Sequence, residues 1–221
     1  MSGEDDDAIF PGADVLVSSD IVGEYRRGVC LAASSSEVLV EFAGGEEAVA
    51  RENVSAANEP GKFVDDASNL VHLSSATILD NLRNGLEASK IYTWVGGILV
   101  AVNPMRSLPD AYSEAVMCDC RDATATRPAH PFTMAETALR QLIRHSKPAS
   151  FVVSGESGAG KTETSRQLLN YLLWRANAGG GTQQLSATLI EVSAVIELFG
   201  SAATLHNANS SRVGRFLQLE F

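Results

Sequence analysis

The spacing of apolar positions changes along this chain, and each change marks a different kind of element. From Asp14 to about Val54 the apolar residues come in short runs, Val15-Leu16-Val17, Gly28 to Leu31, Val38 to Phe42 and Ala48-Val49-Ala50, divided by Ser34 to Ser36 and Gly44-Gly45. Short, evenly spaced runs with turn formers between them predict the strands of a small barrel over 14–57. Asn58-Glu59-Pro60-Gly61 breaks the pattern and predicts a linker over 58–67. The period then lengthens. Ser74 or Ser75 can cap a helix carrying Ile78, Leu79, Leu82 and Leu86 on one face, with Gly85 near its end. Ile98 to Val102, stopped by Asn103-Pro104, is an unbroken apolar run that predicts a strand buried on both faces. Thr133 followed by Glu136 predicts a capping box opening a helix that holds Met134, Ala138, Leu139, Leu142 and Ile143 and ends at Lys147-Pro148. Phe151-Val152-Val153 predicts a short buried strand. Helical spacing returns from Thr162 through Leu168, Leu169, Leu172 and Leu173 to about Asn177, followed by the loop Gly179-Gly180-Gly181 and a further helix over roughly Leu185 to Phe199. Strands and helices mixed in this way predict an α/β sheet with helices on both faces, preceded by the small barrel.

Composition narrows the partners. With 221 residues, 45% of them hydrophobic, the chain can bury one sizeable core and a small second one. A formal net charge of −10 predicts neither a nucleic-acid nor an anionic-membrane partner. No apolar run approaches the roughly 20 residues that span a bilayer. Met1 to Asp7 is acidic, unlike a signal peptide, and three cysteines suit a reducing compartment, so a cytoplasmic location is expected. Cys118-Asp119-Cys120 has no second Cys/His pair at zinc spacing and is read as ordinary thiols.

Chemistry enters at Ser154 to Thr162, S-G-E-S-G-A-G-K-T, which matches the phosphate-loop pattern G-x-x-x-x-G-K-[ST] between a strand-like run and a helix. Gly155, Glu156, Ser157, Gly158, Ala159 and Gly160 would curl so that backbone N–H groups face one point, and the helix opening near Lys161 adds its positive dipole end. Lys161 would bridge the β- and γ-phosphates, and the Thr162 hydroxyl is placed to hold Mg²⁺. The plainer reading is a flexible Gly/Ser turn with a solvated lysine. A second polar stretch, Asn207-Ala208-Asn209-Ser210-Ser211-Arg212, precedes a strand pattern. Ser211 could give Mg²⁺ a second hydroxyl, Ser210 could position or relay a proton for attacking water, and Asn207 could donate to the phosphates; a self-capping polar turn is the alternative.

With both stretches in view, the sequence resembles the myosin motor domain over roughly Ser68 to Phe221. The loop G-E-S-G-A-G-K-T-E, the later N-A-N-S-S-R-V-G-R where the family has switch I, and Ala101-Val102-Asn103-Pro104 where its purine-binding loop begins carry the likeness, together with Ile91-Tyr92-Thr93 and Glu197-Leu198-Phe199-Gly200. The module before them is similar to the SH3-like domain at the start of many myosins. The resemblance implies a P-loop NTPase core that binds ATP and Mg²⁺ and hydrolyses ATP, with Thr162 and Ser211 on the metal, Asn207 on the phosphates, Ser210 assisting the hydrolytic water and Arg212 pairing with switch II. It also implies that Asn103 and Pro104 border the adenine. The family's spacing puts the adenine-side tyrosine at Ala111, and here Tyr112 stands one residue later. No D-I-x-G-F-E switch II follows switch I; Asp20-Ile21-Val22-Gly23 lies before the phosphate loop and is read as coincidence. The implied protein is therefore the N-terminal portion of a cytoskeletal motor, meeting actin filaments, and light chains or calmodulin, through regions outside this chain. Two other readings stand beside it: a truncated or pseudo-motor module that binds nucleotide or a partner without turnover, and a kinesin-type or other P-loop NTPase. A kinesin would follow Ser210-Ser211-Arg212 with Ser-His, where this chain has Val213-Gly214.

Overall fold

The computed structural model describes residues 8–19, 23–123, 127–177, 192, 195, 199–203, 210–212, 214 and 216–219. The chain divides into two compact units, Met1–Val100 and Ala101–Phe221.

In the first unit, β1 (Asp14–Ser18), β2 (Tyr25–Ala33), β3 (Glu37–Phe42), β4 (Gly45–Ala50) and β5 (Val54–Ala56) form an antiparallel sheet in the order β4-β3-β2-β1-β5. The apolar runs set the pairing: Val38 lies opposite Val49, and Val15, Val17, Cys30, Val38, Val40, Val49 and Val54 meet in one buried cluster. Gly28 lets β3 lie close against β2, because a Cβ there would lie 2.5 Å from Val40 Cγ1 and 2.7 Å from the Glu41 carbonyl; the five strands form an open ladder with β4 and β5 at its edges. The Phe42–Gly45 turn joins β3 to β4, with Gly45 at φ 131°.

Helix α1 (Ser75–Glu87) starts where expected. Ser74 Oγ accepts from Thr77 N–H, and Thr77 Oγ1 accepts from Ser74 N–H, a reciprocal cap. Its buried face differs from the leucine stripe of the sequence: Ala76, Thr77, Asn81 and Gly85 are buried, while Leu79 is exposed. Backbone satisfaction decides this. Asn81 Nδ2 donates to Val64 O at 3.0 Å and its Oδ1 accepts from Val64 N–H at 2.8 Å, pairing both backbone polar groups of Val64 in the strap over residues 58–65. A Cβ on Gly85 would sit 2.6 Å from the Phe63 ring, so the strap lies directly on the helix. The same strap is held at Asn58, whose amide pairs with both backbone groups of His72, and Arg27 of β2 reaches the Asn58 carbonyl at 3.0 Å and Asp80 of α1 at 2.8 Å.

Strands β6 (Tyr92–Val95) and β7 (Ile98–Ala101) form a two-stranded sheet joined by Gly96-Gly97, with Gly96 at φ 61° as a two-residue hairpin turn requires. The strand expected to be buried on both faces is instead a hairpin arm: Ile98 is 70% exposed. The paired glycines turn the chain back antiparallel before the apolar run can enter a sheet interior.

In the second unit, α2 (Glu114–Asp122), α3 (Pro131–His145) and α4 (Lys161–Asn177) pack around Cys120, Phe132, Ala135, Leu139, Leu168, Tyr171 and Leu172. Helix α3 begins before the expected Thr133 box. Pro131 takes the first helical position and His130 caps it, Nδ1 accepting from Phe132 N–H at 3.2 Å. Ser146, at φ 51°, closes the other end. Phe151 to Val153, expected as a buried strand, pairs with no ladder among the described residues. Phe151 and Val153 lean on the helical cluster and Val152 is 90% exposed. The alternation of a strand is present, but a strand is completed by its neighbours. The pair β8 (Ser201–Ala202) and β9 (Ser210–Ser211) is a short antiparallel ladder, Ala202 opposite Ser210. The observed fold is thus mixed, helices with antiparallel sheet. Gly179 to Gly181, Asp20 to Val22 and most of the helix expected over 185–199 lie outside the described residues. Among the described residues no helix is long and apolar enough to cross a membrane, and the three cysteines are free thiols.

Candidate functional site

The site is built at the N-terminus of α4. Gly155, Gly158 and Gly160 stand at φ 151°, 85° and 96°, angles that side chains resist, so the residues between Ser154 and Lys161 can curl tightly. A Cβ on Gly155 would approach Ala159 Cβ to 3.3 Å. Ala159 N–H donates to Glu156 O at 3.2 Å, closing the turn, and the first backbone bond of α4 runs from Thr164 N–H to Gly160 O. The N–H groups of 160–163 are therefore the ones the helix leaves over at its positive end. Lys161 Nζ donates to Gly155 O at 2.8 Å and Glu156 O at 2.7 Å, which draws the ammonium across the loop mouth and leaves its third N–H for an anion.

Two distant segments reach this loop. Ser210 of β9, only 3% exposed, places its Oγ 2.8 Å from Ser157 Oγ. Asn103 Nδ2 donates to Gly158 O at 2.6 Å, and its Oδ1 accepts from Met105 N–H at 2.9 Å. Thus the segment beginning at Asn103 and the Ser210 segment both touch the phosphate-loop motif.

The other expected site residues fall as follows. Thr162 is half-buried in the first turn of α4, and the Ser211 backbone lies in β9 opposite Ser201. Arg212 is exposed and anchored through its N–H to Gly200 O at 2.7 Å. Pro104 is half-buried. Tyr112 closes a single 3-10 turn (Pro109–Tyr112), its ring 5.8 Å from that of His130 and 6.3 Å from that of Phe132, against the helical cluster. Asn207 lies outside the described residues.

Charge near the loop is managed locally. Glu163, in the first turn of α4, is pushed up by burial, but hydrogen bonds from Arg166 at 2.6 Å and Gln167 at 2.6 Å outweigh this and hold it below the usual carboxylate range. An anion bound at the helix start therefore meets a carboxylate whose oxygens are already turned to donors.

Rigidity comes from farther down α4. Glu136 of α3, 3% exposed, accepts from Tyr171 OH at 2.9 Å, from Arg175 Nε at 2.8 Å and from Arg140 Nε at 2.8 Å. Burial pushes its carboxyl up, and the Arg175, Arg140 and Tyr171 hydrogen bonds outweigh that, holding it below the ordinary range. Arg140 also donates to the Arg121 carbonyl at the end of α2. One carboxylate so fastens the helix that carries the loop. Sequence reading missed it, although a glutamate within the apolar stripe of α3, four residues before an arginine, was the available signal.

A family model described as myosin head (motor domain) matches residues 64–221. Myosin-8 of Arabidopsis thaliana is 35% identical over 221 residues, covering 99% of this chain and 14% of that protein. Myosin-6 and Myosin-17 of the same plant are each 41% identical, over 166 and 164 residues, covering 73% of this chain and 11% of each relative. The chain spans no more than 14% of the length of these relatives. The family match takes in Asn103, the whole of 155–162 and Ser210, the same segments that the fold brings into contact: the chain belongs to the myosin head family.

Proposed function

We propose that residues 155–162 bind the phosphates of Mg·ATP, and that the protein works as an ATP-dependent, actin-based motor of the myosin type. The observation that carries this reading is the Ser157–Ser210 contact, which brings the serine of N-S-S-R onto a phosphate-loop motif at a helix N-terminus. In this reading the N–H groups left over by α4 and the third N–H of the Lys161 ammonium donate to the phosphate oxygens, the last a charge-assisted contact. Ser210, held by Ser157, orients the attacking water and passes on its proton. The Thr162 and Ser211 hydroxyls hold Mg²⁺, which when bound neutralises charge on the phosphates. The fit rests on the glycine-built turn, which a Cβ at Gly155 would crowd against Ala159, and on the Lys161 ammonium held beside it. Arg212 serves as the ion-pairing residue of switch I, Asn207 contacts the phosphates, and Pro104 and Tyr112 stand on the adenine side.

The same reading makes 14–57 the SH3-like module, 58–67 its connection and 68–221 the N-terminal part of a P-loop NTPase core. Actin filaments, and light chains or calmodulin, are the partners it implies, in a cytoplasmic, cytoskeleton-associated myosin complex. Titration of the chain with a fluorescent ATP analogue tests it. Lys161→Ala should lose about 2–4 kcal/mol of binding, because a charge-assisted contact at a desolvated phosphate has no ready substitute. Equal affinity of the wild type and a folded variant would refute the assignment.

A further inference from the structure

We propose that Asn103 is a positioning residue for the phosphate loop: its side chain holds the Gly158–Ala159 peptide in the orientation that turns the following N–H groups toward a bound phosphate. This rests on the reading of 155–162 as a phosphate site and assigns Asn103 a task other than bordering the base.

The geometry is specific. A peptide unit is planar, so fixing both of its polar ends fixes its rotation. The Gly158 carbonyl takes the Asn103 Nδ2 donor at 2.6 Å, and the Ala159 N–H of the same peptide is tied to Glu156 O at 3.2 Å. The two glycines around it, at φ 85° and 96°, supply no torsional preference that would keep the loop in this shape unaided. An external clamp is therefore needed, and Asn103 is the side chain that provides it. The clamp is itself rigid, because Asn103 Oδ1 accepts from Met105 N–H at 2.9 Å, holding Met105 at φ 52°, an angle that a non-glycine residue seldom takes. Both partners are backbone groups, one able only to donate and the other only to accept, so the orientation of the amide is fixed by chemistry. With its nitrogen on one segment and its oxygen on the other, Asn103 couples the 103–105 turn to the phosphate loop.

Two ligands and two variants separate this role from its competitors. Asn103→Ala removes both bonds; Asn103→Asp is isosteric, keeps the acceptor for Met105 N–H and loses the donor to Gly158. The full chain is titrated with Mg·ATP and with Mg·tripolyphosphate, which has no base, and amide exchange of Ala159 and Gly160 is followed without ligand. Both variants should lose about tenfold in affinity for both ligands, leaving the ratio of the two affinities within about twofold of wild type, and the Ala159 amide should exchange at least about tenfold faster. Loss for ATP alone would make Asn103 a base contact and overturn the proposal. Wild-type behaviour of Asn103→Asp would do the same, reducing the residue to a turn former. Should Asn103→Ala fail to fold, the isosteric variant carries the test. If the wild-type chain takes up neither ligand, the nucleotide reading fails, and amide exchange still decides the clamp: faster exchange of Ala159 in Asn103→Asp upholds it and unchanged exchange overturns it.

Discussion

Removing the carboxylate of Glu136 should loosen the helix that carries the phosphate loop, and the size of the effect follows from how differently its partners can compensate. Tyr171 is fully buried, so its hydroxyl loses its acceptor with no water to replace it, at a cost of about 1–2 kcal/mol. The side chains of Arg175 and Arg140 are 25% and 45% exposed and can turn toward solvent, so the 3–5 kcal/mol typical of a broken buried pair falls to about 2. Glu136→Ala should therefore destabilise the second unit by about 3 kcal/mol, and Glu136→Gln, which keeps one acceptor oxygen, by about half of that. The acid dependence gives an independent check. The folded state holds this carboxyl below its unfolded value, so its contribution is fully present above the ordinary glutamate pKa of about 4.3 and is lost as pH falls through the folded value. Urea titrations read by Trp174 fluorescence and by circular dichroism, at neutral pH and on acidification, measure both effects. An alanine variant within about 0.5 kcal/mol of wild type, or a glutamine variant with the wild-type acid dependence, would refute the reasoning.

His130 should remain neutral at neutral pH: burial lowers its pKa to about 4, against a smaller opposite effect from the Ala111 backbone, so stability is complete above about pH 6.5 and declines as pH falls toward 4. Imidazole NMR titration reads this directly, and replacing His130 with Asn, another capping residue, should flatten that part of the stability profile. Gly85→Ala should destabilise the first unit by about 1–3 kcal/mol in thermal melting although alanine is the better helix former, because the new Cβ meets the Phe63 ring and, at 2.9 Å, the Lys90 carbonyl. Ser211→Ala should weaken the Mg²⁺ dependence of nucleotide binding more than the binding itself, checked by titrating Mg²⁺ at fixed nucleotide, since in the proposed function residues 155–162 would still hold the phosphates.

Local signals were legible in the sequence and pairings were not. Ser74 announces α1 through its own reciprocal cap, Lys161 and the leucines after it announce α4, and the valine runs announce β1 to β4, because each depends on residues a few positions apart. Phe151 to Val153 carries a strand's alternation, yet ladder formation depends on what lies beside it, which no local pattern states. Ile98 to Ala101 reads as interior until Gly96-Gly97 is seen to make the hairpin. For α3, Pro131 was a readable first-turn signal, but the Thr133–Glu136 spacing imitated a box, and Glu136 proved to be a buried acceptor. In the candidate site the loop itself was legible from its glycines and Lys161. The contacts that distinguish it, Ser157 with Ser210 and Asn103 with Gly158, join residues more than fifty positions apart and arise only from the fold.

The strap over residues 58–65 also bears on how such chains diversify. A module on a slack tether can be exchanged by recombination anywhere along that tether without disturbing either side. Here a crossover at Pro60 would part Arg27 from Asp80 and Asn58 from His72, and an incoming module would leave the Asp80 carboxylate without its guanidinium and both polar groups of the His72 backbone without the amide that pairs with them. The heritable block therefore extends from β1 through α1, and positions 27 and 80 are expected to change together or not at all.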